Sequence, residues 1–209
     1  MFTSLCFSQI KHPIPKKVVL LFLWLCCSWC FANAQRTMRL TDIDFPVTEA
    51  LQYIDKGQYQ QASNLLQQYP TMPLTLLHTS PYTMQISWAL YAKYLCELFL
   101  EEQNAIQHMR DFIRDIPFEN IRHLASFQMA RYHFMQGKFE QAIQYHNLTN
   151  IAYLNNKELN SRNFELGYAY LVTQQIDKVE PFFNTAKKIP GQYATQGTYY
   201  HGIINYYKK

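Results

Sequence analysis

Apolar residues return every three or four positions through most of the chain from about residue 45 onward. This spacing is typical of helices that bury one face against neighbouring helices. Pro117 and Pro190 interrupt the pattern at points where helices should stop. The pattern therefore predicts an all-α protein with helices at about 46–56, 59–69, 84–99, 102–115, 120–136, 139–153, 157–173, 177–187 and 195–207.

A short phrase repeats within this pattern. A small residue (Ala50) is followed by an aromatic residue (Tyr53), a glycine (Gly57) and then an alanine (Ala62). The small residue allows a second helix to approach closely, and the ring fills the space between the helices. The glycine ends the first helix in a left-handed cap, where a side chain would be strained. A second copy consists of Ala130, His133, Gly137 and Ala142, and a third of Gly167, Tyr170, Ile176 and Val179.

Two further copies are less regular. One is centred on Ala105, and its first helix places Lys93 and Leu100 where a small residue and a glycine are usual. The other begins at Tyr199, with Gly202 standing 35 residues after Gly167. The third copy also departs from the pattern, with Gln174 at its turn and Val179 in place of alanine. The spacing from Ala62 to Ala105 is longer than the others because prolines at 70, 73 and 81 mark an insertion.

These repeats resemble the tetratricopeptide (TPR) family, whose period is about 34 residues. The resemblance covers nearly all of the chain from about Phe45 onward and predicts a helical repeat domain at 35–209. It implies a right-handed α-solenoid of antiparallel helix pairs. The fifth repeat is expected to be incomplete, which predicts either self-association through the C-terminal helix or fraying of that helix. The alternative is that the segment from Tyr199 caps the stack, with its tyrosine hydroxyls in water.

In this family the first helix of each pair lines a concave groove, which implies a binding surface rich in aromatic residues. Such a surface with one arginine suits an extended or helical peptide. For each position the alternative is packing against the next repeat. The Lys and Asn set that clamps a terminal carboxylate in some members is absent, which disfavours that ligand. The implied groove residues are Leu90, Tyr94, Leu124, Phe127, Arg131, Phe134, Phe164, Tyr168 and Leu171.

The amino terminus has the pattern of a secretory signal peptide. Lysines at 11, 16 and 17 precede an apolar run at 18–31, and Ala32-Asn33-Ala34 follows as a cleavage site. Residues 1–34 are therefore expected to be removed, which places the mature protein, from Gln35, in the periplasm or cell envelope. The alternative is a membrane anchor, but this run is shorter than the roughly 20 residues needed to span a bilayer. No later stretch of the chain is expected to span a membrane.

Charge and cysteine content narrow the functional classes. The formal charge is +4, but from Gln35 onward the 16 basic residues nearly balance 15 acidic ones. A nearly neutral chain lacks the field of a nucleic-acid binder. Cys96 is the only cysteine after the leader, and its apolar surroundings predict a buried side chain rather than a nucleophile.

The sequence offers no chemistry for catalysis. Glu119 and His123 stand four apart on a predicted helix, but such pairs are usually surface contacts and not metal ligands. Hydrolase and nucleotide-binding motifs are absent. We therefore expect no catalytic residue, metal or cofactor, and a protein that is not an enzyme.

The expected function is a non-catalytic protein–protein interaction scaffold of the bacterial cell envelope, whose partner is a protein or peptide. Two alternatives stay open. One is a sensor or assembly domain of a larger envelope regulator. The other is a carbohydrate-binding envelope protein, because aromatic grooves also stack on sugars.

Overall fold

The structure, a computed structural model, describes residues 45–67, 69 and 83–207. This part of the chain is helical and contains no strand, so the all-α prediction is confirmed here. The predicted leader at 1–34 lies outside the described residues. The helices are α1 (Phe45–Asp55), α2 (Tyr59–Leu66), α3 (Thr83–Phe99), α4 (Ala105–Asp115), α5 (Glu119–Met135), α6 (Phe139–Leu148), α7 (Asn156–Val172), α8 (Val179–Ala186) and α9 (Ala194–Tyr207), with 3-10 turns at Ile151–Tyr153 and Ile176–Lys178.

Four of the odd-numbered helices end in the same kind of turn. A residue with positive φ follows the helix, and its amide donates a hydrogen bond to the carbonyl three residues back. The next amide donates to the carbonyl five residues back, so two hydrogen bonds close each helix end. The same turn recurs at intervals of 44, 36 and 37 residues. The four residues are Gly57 (φ 74°), Glu101 (φ 56°), Gly137 (φ 68°) and Gln174 (φ 59°).

The turn after α3 lies one residue later in the sequence than predicted. The sequence places this turn at Leu100, whereas the residue with positive φ is Glu101. Tyr94 therefore takes the position that Ala50 and Ala130 hold in their helices, and it is buried. The helix continues to Phe99 because apolar side chains near its end, such as the fully buried Leu98, fill the core.

Three helices differ from the predicted bounds by three residues or more. The helix α2 ends at Leu66 rather than 69. The helix α6 ends at Leu148 rather than 153, because Thr149 adopts extended backbone angles. The helix α4 begins at Ala105 rather than 102, because Asn104 before it is left-handed with φ 63°. A capping box starts α7: the backbone amide of Glu158 donates to Oδ1 of Asn155, and the backbone amide of Asn155 donates to Oε2 of Glu158.

The helices pack in a regular order. Each helix contacts the next along the chain, and each odd-numbered helix also contacts the next odd-numbered one, from α1 through α9. Ala50, Ala62, Ala130 and Ala142 are fully buried at these contacts, in agreement with the small residues of the repeated phrase. None of the helices in the described ranges is long and apolar enough to cross a membrane.

Candidate functional site

Five of the nine predicted groove residues lie in the core. Leu90, Tyr94, Leu124, Phe127 and Phe164 have between 0% and 7% of their surface exposed. Each of α3, α5 and α7 touches two other odd-numbered helices and its even-numbered neighbours, so most of its circumference is covered. The groove prediction is corrected for these five, which fill the space between helices and offer almost no surface to a ligand.

The other four predicted residues are partly exposed and lie on two helices in contact. Arg131 and Phe134 belong to α5, and Tyr168 and Leu171 belong to α7. The rings of Phe134 and Tyr168 meet edge to face, with centroids 5.8 Å apart. We call these four residues the aromatic surface.

Two rings that the sequence did not single out extend this surface. The ring of Phe139, on α6, lies 5.7 Å from that of Phe134. The ring of Tyr200, on α9, lies 5.6 Å from that of Tyr168. Both are partly exposed, so linked rings run from α6 across α5 and α7 to α9. Only the packing of the helices brings these rings together, since Phe139 and Tyr200 are far apart in sequence.

Arg131 is held in place from two sides. Its Nε lies 3.3 Å from Oε1 of Glu165, and its guanidinium lies over the ring of Phe127 at 5.8 Å. Glu165 is 2% exposed, whereas the Arg131 side chain is 30% exposed. The guanidinium is therefore fixed by buried partners while part of it faces solvent, which suits a binding side chain.

A buried histidine completes this polar cluster. Nε2 of His146, on α6, lies 3.3 Å from Oε2 of Glu165, and His146 is fully buried. Burial lowers the pKa of His146, and Glu165 opposes this effect while Arg162 and Arg131 reinforce it. Both side chains are buried, with 0% of His146 and 2% of Glu165 exposed, so neither contributes surface that a ligand could contact.

The sequence analysis missed Glu165 and His146. A clue was present, because Glu165 is the one charged residue in the run from Phe164 to Val172 and stands between Phe164 and Leu166. A charged residue at such a position needs a buried partner. The identity of that partner, 34 residues away at Arg131, depends on the packing of α5 against α7.

Glu119 and His123 act together as a structural link. The hydroxyl of Tyr153 donates to Oε2 of Glu119 over 3.2 Å, and the ring of His123 stacks on that of Tyr153 at 5.1 Å. Nδ1 of His123 lies 2.9 Å from the carbonyl oxygen of Leu148. These contacts join the start of α5 to the 3-10 turn after α6. Across the described ranges, no group of three or more His, Cys, Asp or Glu side chains is placed to hold a metal ion.

Cys96 has the environment that the sequence predicted. It is 1% exposed, and burial raises the pKa of its thiol to about 12. A thiol that stays protonated at neutral pH is a poor nucleophile. Cys96 therefore serves as a small core side chain.

An open hollow lies at the turn between α3 and α4. Glu101, Asn104, Tyr132 and Gln136 contribute to its lining, and Nε2 of Gln136 donates to Oε1 of Glu101 over 2.7 Å. None of its lining residues belongs to the aromatic surface. Because the hydrogen bond between Gln136 and Glu101 ties the end of α5 to this turn, we assign these two side chains a role in the turn.

No protein-family model, curated protein or solved structure gives a significant match to this chain. The function is therefore inferred from the recurring turns, the order of helix contacts and the aromatic surface.

Proposed function

We propose that this chain is a TPR-type right-handed α-solenoid that binds a segment of another protein and performs no catalysis. Two structural features support the repeat architecture. The same two-hydrogen-bond turn recurs four times, and every odd-numbered helix contacts the next one. A stack in which each unit touches only its neighbours has this order of contacts.

The main observation that supports the proposed binding function is the aromatic surface. Its residues come from α5 and α7, the first helices of consecutive pairs, which is where the family resemblance implies a ligand groove. Aromatic and arginine side chains contribute most of the binding energy in protein interfaces. Because Glu165 and Phe127 already hold Arg131 in place, less side-chain entropy is lost when a ligand binds.

The proposed location is the bacterial cell envelope. The support is the lysine-containing, apolar and Ala-x-Ala order of residues 1–34. Amino-terminal sequencing of the protein from an envelope fraction tests this proposal. A mature chain beginning at Gln35 is the expected result, and a chain that still begins at Met1 contradicts it.

The binding proposal is tested with a displayed peptide library selected on the purified protein. Peptides that bind are then measured by fluorescence anisotropy against a Phe134→Ser/Tyr168→Ser variant, for which we expect affinity to fall by at least about tenfold. Ile151→Ser is the matched control, because Ile151 is an exposed apolar residue outside the aromatic surface. Circular dichroism verifies that each variant stays helical.

Two results contradict this assignment. If selected peptides bind the double variant as tightly as the unchanged protein, the aromatic surface is not the site. If no peptide is selected while oligosaccharides bind in a parallel screen, the carbohydrate-binding alternative is favoured instead.

A further inference from the structure

Two contacts join α5 to α7 at the aromatic surface, one helical turn apart. Arg131 pairs with Glu165, and the ring of Phe134 meets that of Tyr168. Each contact joins residues 34 positions apart in the sequence, so both follow the same register along the two helices. Three residues of an α-helix rise about 4.5 Å. The guanidinium of Arg131 therefore lies beside the two rings, close enough for one short ligand segment to contact both.

Arg131 keeps hydrogen-bond donors for such a ligand. An arginine side chain donates from Nε and from both Nη atoms, and Nε of Arg131 donates to Oε1 of Glu165. Among the described residues, neither Nη atom has an acceptor, and 30% of the side chain is exposed. The Nη donors form a planar edge that matches the two oxygens of a carboxylate.

The charges around Arg131 favour a negative ligand. Arg162 is a second cation of this cluster, since its Nη2 donates to the carbonyl oxygen of His146 over 3.0 Å. Burial lowers the pKa of His146, so its ring is neutral at neutral pH. Two guanidinium groups therefore stand against the single carboxylate of Glu165, which is 2% exposed. A ligand contacts the exposed cation and not the buried anion.

The rest of the aromatic surface offers little to a positive ligand. In the second halves of α5 and α7, Arg131 and Glu165 are the only Asp, Glu, Lys or Arg residues. Helix α9 contains none. On α6, Lys138 and Glu140 flank Phe139 with opposite charges. Beside the rings of α5 and α7, the exposed charge is therefore the guanidinium alone.

We propose that the segment bound at the aromatic surface contains an aspartate or glutamate, whose carboxylate pairs with the Nη atoms of Arg131 while a large apolar side chain packs on Phe134 and Tyr168. This inference rests on the proposed peptide-binding function and adds the class of ligand. In an extended segment, residues two apart face the same side at roughly 7 Å, and in a helix residues three or four apart do so at about 5–6 Å. We expect these spacings between the acidic and the apolar residue of the ligand.

Parallel selections from one displayed library of short random peptides test the proposal. The unchanged protein should enrich Asp and Glu at these spacings from large apolar residues. Arg131→Gln/Glu165→Gln, the neutral variant, removes the guanidinium without leaving a buried carboxylate unpaired, and it should lose the acidic enrichment. Arg110→Gln is the matched control, since Arg110 is exposed on α4 and loses the same charge outside the aromatic surface. Circular dichroism verifies that each variant stays helical.

Fluorescence anisotropy then measures the strongest selected peptides, synthesised with blocked ends so that only side chains carry carboxylates. Replacing Asp by Asn, or Glu by Gln, in the peptide should weaken binding to the unchanged protein by about tenfold or more, because a charge-assisted hydrogen bond is lost. The same change should alter affinity for the neutral variant by less than about twofold. Such coupling is expected when the two substituted groups are in contact.

Each other outcome overturns the proposal. If acidic and amide peptides bind the unchanged protein equally well, Arg131 does not recognise a carboxylate. The peptide-binding function still stands in that case, provided that Phe134→Ser/Tyr168→Ser weakens binding. An acidic preference that persists in the neutral variant places the carboxylate at another residue.

Two further results also count against the proposal. If a free carboxyl terminus replaces the internal acid with no loss of affinity, the recognised group is the end of the ligand and not an acidic side chain. If the library yields no peptide at all, the proposed binding function fails and this inference fails with it.

Discussion

Gly167 and Gly202 lie 35 residues apart, at matching places of the predicted repeat, yet their surroundings are opposite. Gly167, on α7, is buried beneath Phe182 and Phe183 of α8. Gly202, on α9, has open space above it and exposed tyrosines on both sides. The local sequence places a small residue on a helix in both cases. Whether that residue becomes core or surface depends on the helix that packs against it.

The neighbouring aromatic rings show the same contrast. The ring of Phe183 stacks on that of Tyr200 at 5.1 Å, and Phe164 stacks on Tyr193 at 4.4 Å. Tyr199 is adjacent to Tyr200 in sequence but points to the exposed side of α9. One helix therefore contributes Tyr200 to a tight aromatic core on one side and exposes Tyr199 and Tyr206 on the other.

The largest expected effect separates a core ring from a surface ring. Phe183→Ala should lower the free energy of unfolding by about 3–5 kcal/mol, because a fully buried ring is replaced by a cavity. Tyr206→Ala should change it by no more than about 0.5 kcal/mol, because that ring is already in water. Urea denaturation followed by circular dichroism, at low protein concentration, measures both. Equal losses in the two variants would show that the contrast is wrong.

An intermediate effect is expected at the two glycines. Gly167→Leu should lower the free energy of unfolding by about 1–3 kcal/mol, since the added side chain meets Phe182 and Phe183 in a filled space. Gly202→Leu should leave it within about 0.5 kcal/mol or raise it, because leucine has the higher helix propensity and nothing obstructs it. The same denaturation measurement compares them. A stable Gly167→Leu variant would mean that α8 can move away from α7 at little cost.

The smallest expected effect concerns pH and compares His146 with His201. Folding lowers the pKa of both below the ordinary value of 6.5, in each case mainly through burial. Below pH 6.5 the unfolded chain then binds more protons than the folded one. The stability that each histidine contributes is therefore complete above pH 6.5 and is lost as the pH falls toward the folded-state pKa.

The histidine in the core should dominate this pH dependence. His146 is fully buried, whereas His201 is only partly buried and can be solvated when protonated. Between about pH 7.5 and 5.5, His146→Gln should therefore reduce the loss of stability by about 1 kcal/mol, and His201→Gln by less. Denaturation at both pH values checks this expectation. If His146→Gln leaves the pH dependence unchanged, its protonation is not linked to folding.

The helices and turns could largely be predicted from the sequence. Helix formation and helix ends depend on nearby residues, through hydrogen bonds spanning three to five positions and through the apolar spacing along one face. Gly57 and Gly137 were therefore placed correctly in left-handed turns, and so was Gln174. The turn at Glu101 was displaced by one residue because no glycine marks it.

The candidate site was less predictable. The family resemblance predicted Phe127 and Phe164 in the same groove as Phe134 and Tyr168, because all four were expected on the first helices of their pairs. Spacing along one helix gives the direction of a side chain, but it does not give the neighbours on every side.

The chain by itself determined its helical class, the positions of most helix ends and the small residues at which helices approach each other, because these follow from local hydrogen bonding and periodicity. Only the tertiary structure decided which aromatic rings are core and which are accessible. It also brought Arg131, His146 and Glu165 from three helices into one cluster. Such contacts join residues far apart in sequence, so they depend on how the helices pack and not on any local pattern.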